Sequence, residues 1–441
     1  MQLIEHRTHG KGRILNKRFG GFELYVEFED GIKRWARRDQ VRFLSEAPIL
    51  IKYEPPKAML SDKQFRARQI IEALRLGVVP YDYVEEFTFG REDEIKYIKK
   101  QIDKQDRCSL IISGEYGVGK THLLEYIYSF ALKNNWAVSL VELDPNEVSF
   151  CKPKVIYEKI IHSLKFKSRN GDFRELLRQV AVSPKFHKLN EHKYLSKIIE
   201  EIRGGTDNED IWEWIEGKPS QHCKPLMYPY STCANIYCYI LSGIDWAIKN
   251  ILGMNGFLIL FDEAESVDSY WYSSYQNNKA WNFLTGLVLM ANNDERLLQE
   301  VNKKRLYEHE IYSGWWGYYS HLQYCGYSQL PFVWKTPCNI KLIFGFSPIQ
   351  DQEIFAREPL KDIDTFELEY LSTESLEKIS RKILGFYEQA YNFQTDIDSF
   401  ISILEDKIQG KTRLFIKGLI ETLDLMRFHP DKAAEELLNG L

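Results

Sequence analysis

The 441-residue sequence has no apolar run that approaches the roughly 18 residues of a membrane-spanning helix. Its first residues lack the basic segment followed by an apolar core that marks a secretory signal. Together these absences predict a cytoplasmic chain with no membrane partner. Cysteine is sparse. There are seven, an odd number scattered over a long chain, which gives no sign of a disulfide framework. Cys223, Cys233 and Cys238, with His222, form one loose group. Its spacing is not C-x-x-C, so ordinary thiols are preferred there over zinc. A strong charge of either sign is missing too. The net charge is −5 and the pI near 6.1, so any contact with nucleic acid must come from a local patch. The sequence contains no internal repeat or low-complexity tract.

What is present is a complete phosphate-binding pattern. Gly114, Glu115, Tyr116, Gly117, Val118, Gly119, Lys120 and Thr121 read G-x-x-x-x-G-K-[ST]. A strand-like apolar run, 110–112, precedes them, and a helix-like run follows, beginning at His122, which is also a candidate nucleotide-binding residue. In that context the glycines let backbone N–H groups close around a β-phosphate. Lys120 reaches the β- and γ-phosphates, and the Thr121 hydroxyl can ligate Mg²⁺. ATP and Mg²⁺ are therefore the expected ligands.

A phosphate loop needs an acid on its metal side. The apolar run 257–261 delivers Asp262 and Glu263 at its C-terminal end, the edge of an open α/β sheet where ligands bind. Asp262 is expected to hold Mg²⁺, and Glu263 to polarise the attacking water. A third strand, 340–346, ends in Ser347, which is placed to hydrogen-bond the γ-phosphate or the water, or else simply to turn the chain. Arg357 follows. It is a candidate arginine finger for a neighbouring copy in a homo-oligomer, with an ordinary surface arginine as the equal alternative. Near the end, Gly410 closes one helix and Thr412 is expected to cap the next. Arg413 then falls in the first helical turn, where the dipole disfavours a cation, which points to a phosphate partner.

The remaining pattern gives the layout. Residues 1–46 read as several short strands, with 9–15, 23–28 and 32–36 around an Asp30-Gly31 hairpin turn. A small SH3-like barrel is expected. That piece has ten Lys and Arg against seven acids, a net of +3, opposite in sign to the whole. It reads either as a module that docks DNA or a partner or as a solvated barrel that packs on its neighbour. Residues 47–60 read as a linker. Residues 61–370 read as an α/β core with a parallel sheet, its strands at 109–112, 137–143, 256–261, 340–346 and 364–370, with helices at 61–77, 120–133 and 154–166. Residues 371–441 read as helical. The stretch 307–334, dense in Tyr and Trp, is expected to fold back on its own domain rather than stack on bases.

Taken together and in order, these residues resemble the AAA+ ATPases, especially the initiator-like branch. The resemblance implies that Gly90-Arg91-Glu92 lies near the adenine. It makes Lys120 and Thr121 Walker A, Asp262 and Glu263 Walker B, Ser347 sensor 1, and Arg413 sensor 2 in a helical lid. Residues 68–80 (RQIIEALRLGVVP), 87–92 (FTFGRE), 114–124 (GEYGVGKTHLL) and 141–145 (VELDP) look like the BREX-system ATP-binding family. This implies a bacterial anti-phage ATPase working with other defence proteins on DNA, with double-stranded DNA a candidate partner. The N-terminal piece loosely resembles CarD-like and Tudor-like modules. The long stretch before Asp262 and the aromatic insertion depart from the plain AAA+ pattern. A nucleotide-dependent scaffold with little turnover is the second reading. A kinase or transferase is disfavoured, because no further acid/base constellation is present.

Overall fold

The computed structural model describes residues 3–18, 23–44, 60–104, 109–167, 171–192, 194–205, 209–218, 234–294, 338–348, 352–396, 398–408, 411–432 and 436–437. The chain divides into two compact units, Met1–Asp62 and Lys63–Leu441.

The first unit holds β1 (Leu3–His6), β2 (Gly10–Arg18), β3 (Glu23–Phe28), β4 (Lys33–Arg37) and β5 (Val41–Leu44). They form one antiparallel sheet in the order β4-β3-β2-β1-β5. The period-two pattern of β3 sends Leu24, Val26 and Phe28 inward, where they meet Ile4 and Ala36. The turn to β4 needs Gly31 at φ +76°, and Asp30 Oδ1 accepts the Ile32 N–H at 2.9 Å. The first strand recognised in the sequence runs on to Arg18, past an irregularity between Ile14 and Asn16. The returning strand starts one residue later than expected, at Lys33. On the outward face Tyr25 and Trp35 pair at 5.0 Å, and the Arg18 guanidinium covers Trp35 at 4.1 Å.

The second unit opens with α1 (Asp62–Arg75) and α2 (Glu92–Asp103). It continues through β6 (Ser109–Ser113), α3 (Lys120–Lys133), β7 (Ala137–Glu142), α4 (Pro153–Ser163), α5 (Phe173–Val182), α6 (Leu195–Arg203), α7 (Glu209–Ile215) and α8 (Ala234–Asn250). Then come β8 (Phe257–Asp262), α9 (Ser274–Ala291), β9 (Lys341–Phe346), β10 (Asp364–Glu367), α10 (Thr373–Tyr391), α11 (Asp398–Ile408) and α12 (Thr412–Phe428). The five strands form a parallel sheet in the order β10-β6-β9-β8-β7. Every residue of β8 and β9 is buried, as near-continuous apolar strands require when both faces are covered. Leu258 and Leu260 pack with α2 and α3 on one face. Phe257, Ile259 and Phe261 pack with α4, α8 and α9 on the other.

Two elements stop three residues short of their sequence pattern. α4 stops at Ser163 because Lys165 pairs with Val138 and Phe166 with Gly171. β10 stops at Glu367, beyond which the Glu369 carbonyl turns to accept from Arg91. A separate core joins α1 to the last three helices: Ile70, Ile71 and Leu74 meet Leu376, Ile383, Phe415 and Leu419. Arg68 Nε donates to Ala390 O at 3.0 Å, Tyr387 donates to Asp424 at 2.7 Å, and Arg75 pairs with Asp424. Among the described residues, no helix is long and apolar enough to cross a membrane.

Candidate nucleotide site

The loop after β6 folds as its glycines dictate. Gly117 and Gly119 sit at φ +88° and +105°, a region closed to most side chains. A Cβ on Gly114 would stand 2.7 Å from Leu368 O, so a side chain there would push the loop off the sheet. The space beside Gly119 is open, with nothing within 4 Å of where a Cβ would stand. Lys120, nearly buried, begins α3. Its ammonium donates to Gly114 O at 2.7 Å and Glu115 O at 3.0 Å. Burial lowers its pKa, and the carboxylates of Glu265, Glu263 and Asp262 oppose that shift.

β9 lies between β6 and β8, so the loop and the acids approach across one intervening strand. Asp262 Oδ2 accepts from the Thr121 hydroxyl at 2.6 Å, and its Oδ1 accepts the Glu263 N–H at 3.1 Å. Burial raises the Asp262 pKa, and the Thr121 hydrogen bond partly offsets it. The Thr121 hydroxyl and the Asp262 carboxylate are hard oxygen donors at the mouth of a phosphate loop. That donor set fits Mg²⁺, which takes one or two protein oxygens and leaves its other positions to water and phosphate.

Glu263 adopts the left-handed conformation, φ +56°, at a cost on the order of 1–3 kcal/mol for a non-glycine residue. Its pKa is pushed up to about 7, first by burial, then by its hydrogen bond to Glu265 and the charges of Glu265 and Asp262. Glu265 in turn accepts the Ser347 N–H at 3.0 Å. The ends of β8 and β9 are thus tied through a residue that motif reading missed. Its signal was present as the fourth position of Asp262-Glu263-Ala264-Glu265, but nothing in that spacing pointed to Ser347.

The remaining expected residues lie as follows. Arg91 is buried. It donates to Val118 O at 2.9 Å and Glu369 O at 2.7 Å, and it pairs with Glu94 at 3.0 Å, so it braces the loop from behind. His122 Nε2 stands 2.8 Å from Thr88 Oγ1, whose own proton goes to Val84 O at 2.6 Å. The His122 ring therefore donates through Nε2. Burial, then the Arg91 charge, push its pKa down to about 4, so it is neutral at pH 7. Tyr116 is exposed, and Arg413 Nη1 donates to its hydroxyl at 3.4 Å. Arg413 also lies against Gly77, which holds φ +75° and where a Cβ would stand 2.8 Å from Arg413 Nε and from Lys417 Cε.

Thr412 does not cap α12. Lys411 is the capping residue, without a side-chain cap bond, and the Thr412 hydroxyl is buried with no partner. Helix entry one residue earlier puts Thr412 inside the first turn, where its side chain cannot reach back to the leading N–H groups. Lys411 Cβ is 3.9 Å from where a Gly117 Cβ would stand, so this helix start abuts the phosphate loop. Arg357 is exposed. It stacks over Trp281 at 4.1 Å and reaches Asn277 at 3.5 Å. Gly410, the 307–334 stretch, His222, Cys223 and Cys233 lie outside the described residues. Cys238 is buried on α8.

Residues 63–185 match the model of the family described as BREX system ATP-binding protein BrxC/D. That span contains the whole phosphate loop and Arg91, and it supports the resemblance to the BREX ATP-binding proteins. No curated protein matches the chain. Among solved structures, the E. coli MS115-1 HORMA:CdnC:Trip13 complex is similar at 10% identity over 81% of this chain and 86% of that chain, with a TM-score of 0.26.

Proposed function

We propose that this chain is an AAA+-type P-loop ATPase of a bacterial phage-defence system. It binds ATP with Mg²⁺ at residues 114–121 and hydrolyses it to switch its contacts with partner proteins and double-stranded DNA. The observation that carries this reading is the 2.6 Å bond from Thr121 to Asp262, with Glu263 next in the chain. It brings the metal-side hydroxyl, the metal-side acid and a candidate base to one place.

The residues divide the work. Backbone N–H groups of the loop and Lys120 take the β/γ-phosphate charge. Thr121 and Asp262 would hold Mg²⁺, which would supply positive charge to offset that of the phosphates. Glu263, deprotonated, accepts a proton from the attacking water. Ser347 borders the same spot at the end of β9. Arg413, presented by α12 beside the loop, senses the phosphates. The helices α10–α12 act with α1 as a lid. Loss of the γ-phosphate removes one of the lid's attachments and lets it move. The first unit, read as an SH3-like module with a net charge of +3 over residues 1–46, would meet DNA.

A second reading is a nucleotide-dependent scaffold with little turnover. The raised pKa of Glu263 favours it, because a carboxyl that burial pushes up to about 7 is only partly deprotonated, and so only partly a base, near neutral pH. Phosphate release by the wild type and Glu263→Gln, with and without duplex DNA, separates the two. A rate unchanged by Glu263→Gln overturns the hydrolase.

A further inference from the structure

At the free end of β7 lies a cleft of about 920 Å³. One wall is the chain from Leu140 to Val148, and the other is the chain from Glu263 to Ser269. The two walls are tied by Ser149 and Tyr272, whose hydroxyls hydrogen-bond. Three observations in it converge.

The first concerns backbone direction. Ala137 N–H donates to Gly256 O and Leu143 N–H to Asp262 O, so odd-numbered residues of β7 face β8. The alternation turns Val138, Leu140 and Glu142 the other way. Val138 exchanges both of its backbone bonds with Lys165. Among the described residues no strand continues that pairing past Leu140 and Glu142, and both line the cleft. An open strand edge takes an added strand.

The second is charge. Glu142, Asp144, Glu263 and Glu265 face the cleft, against Lys159 and His162, and His162 is already near Glu216 at 3.9 Å. The third is an orphan. Ser266 is 6% exposed, lines the cleft, and its hydroxyl has no hydrogen-bond partner. A buried hydroxyl without a partner is costly unless something enters to meet it.

We infer that this cleft binds an extended, basic segment of a partner polypeptide, added as a strand along Leu140–Glu142, with a Lys or Arg side chain reaching Glu263 and Glu265. The acid lining rules against a nucleic-acid backbone in the same place. A basic head group beside Glu263 competes with Glu265 for its carboxylate and reaches Ser347 through the Glu265 bond. Partner docking is thereby coupled to the carboxylate assigned to hydrolysis, and this coupling rests on that assignment.

The test uses the full chain and two labelled decapeptides, alternating Arg-Val and alternating Glu-Val, read by fluorescence anisotropy. The Arg-Val peptide is expected to bind and the Glu-Val peptide not. Leu140→Pro removes an N–H that faces the open edge, a change edge strands tolerate, and it is expected to weaken binding about tenfold. Glu142→Lys is expected to weaken it by a similar, about tenfold, factor through like charge. Ser266→Ala, which deletes an unpartnered hydroxyl, is expected to keep the melting temperature and still bind several-fold more weakly. Equal binding of both peptides, or of neither, overturns the inference. So does wild-type affinity in both Glu142→Lys and Ser266→Ala. Lys120→Ala separates this from the nucleotide reading: it is expected to keep the peptide and lose ATP.

Discussion

Gly345 stands where a methyl group would press within 3.1 Å of Asp262 Oδ1, with Leu124 Cδ1 equally close. Asp262 therefore owes its position to a missing side chain on the neighbouring strand. Gly345→Ala is expected to displace the carboxylate by a few tenths of an ångström. A misplacement of about 1 Å can cost about a hundredfold, so this smaller shift is expected to lower kcat by up to about tenfold. The check is phosphate release titrated with Mg²⁺. The variant is expected to need more Mg²⁺ and to turn over more slowly. Wild-type Mg²⁺ dependence would dissociate Asp262 from the metal.

Lys120→Ala and Glu263→Gln are expected to part ways. The first removes a nearly buried cation from the loop and loses tight ATP binding. The second keeps the loop and is expected to bind ATP while kcat falls about a hundredfold, the scale of a general base. Isothermal titration with ATP and a phosphate-release assay read the two effects. Equal ATP affinity in Lys120→Ala and wild type would remove the loop from the site.

Arg413 is expected to matter for hydrolysis and Gly77 for Arg413. Arg413→Ala is expected to lower kcat about tenfold or more, as for loss of one donor to developing charge. Gly77→Ala puts a Cβ 2.8 Å from the Arg413 Nε at φ +75°. It is expected to destabilise by about 1 kcal/mol through backbone strain and to reproduce part of the Arg413→Ala defect. A Gly77→Ala protein with normal kcat would detach that contact from catalysis.

Acid stability has a defined sign at His192. Burial pushes its pKa down to about 4. Its Nδ1 accepts Leu195 N–H at 3.1 Å, and Nε2 meets Tyr239 O at 3.2 Å. The folded pKa lies below the unfolded value near 6.5, so the unfolded chain binds more protons between them. Stability from this residue is full above about pH 6.5 and is lost as the pH falls towards 4, in total roughly 3 to 3.5 kcal/mol. Denaturant midpoints of wild type and His192→Gln, compared from pH 8 to 4, are expected to converge as the pH falls. A constant difference contradicts the assignment.

Asp245 is a buried polar anchor beneath the sheet. Its two oxygens accept Phe257 N–H at 2.9 Å and Asn339 N–H at 2.6 Å, at the entries to β8 and β9. Asp245→Asn leaves one acceptor for two donors, and is expected to cost about 1–3 kcal/mol in a chemical denaturation curve at pH 7. An unchanged midpoint would show that the second N–H finds another acceptor.

The parts of the site that were legible in the sequence have local causes. Gly117 and Gly119 are needed by the loop's own backbone, and Asp262 follows a run whose burial is written in its composition. The order of the strands is not local. Nothing near residue 345 signals that β9 divides the loop from the acids. Arg91 was legible as a motif residue, but its bonds to Val118 and Glu369 depend on three distant segments meeting. Glu265 reads as one more acid until Ser347 is beside it. Thr412 is displaced by one residue because capping preference pointed to its hydroxyl, whereas the chain enters the helix at Lys411 with no side-chain cap bond at all. The joining of α1 to the last three helices spans nearly the whole second unit, and the apolar stripe of α1 carries no address for its partner.

Because β9 lies between β6 and β8, synthesis of this chain has an order of its own. A growing chain exposes Lys120 and then Asp262 long before it makes the strand that holds them apart. Until Phe346 emerges, β6 and β8 have no shared neighbour, and pairing them directly would close the gap in which a phosphate fits. The strand arrangement that frames the nucleotide site therefore cannot exist before β9 is made, although the site's most recognisable residues come long before it in the chain.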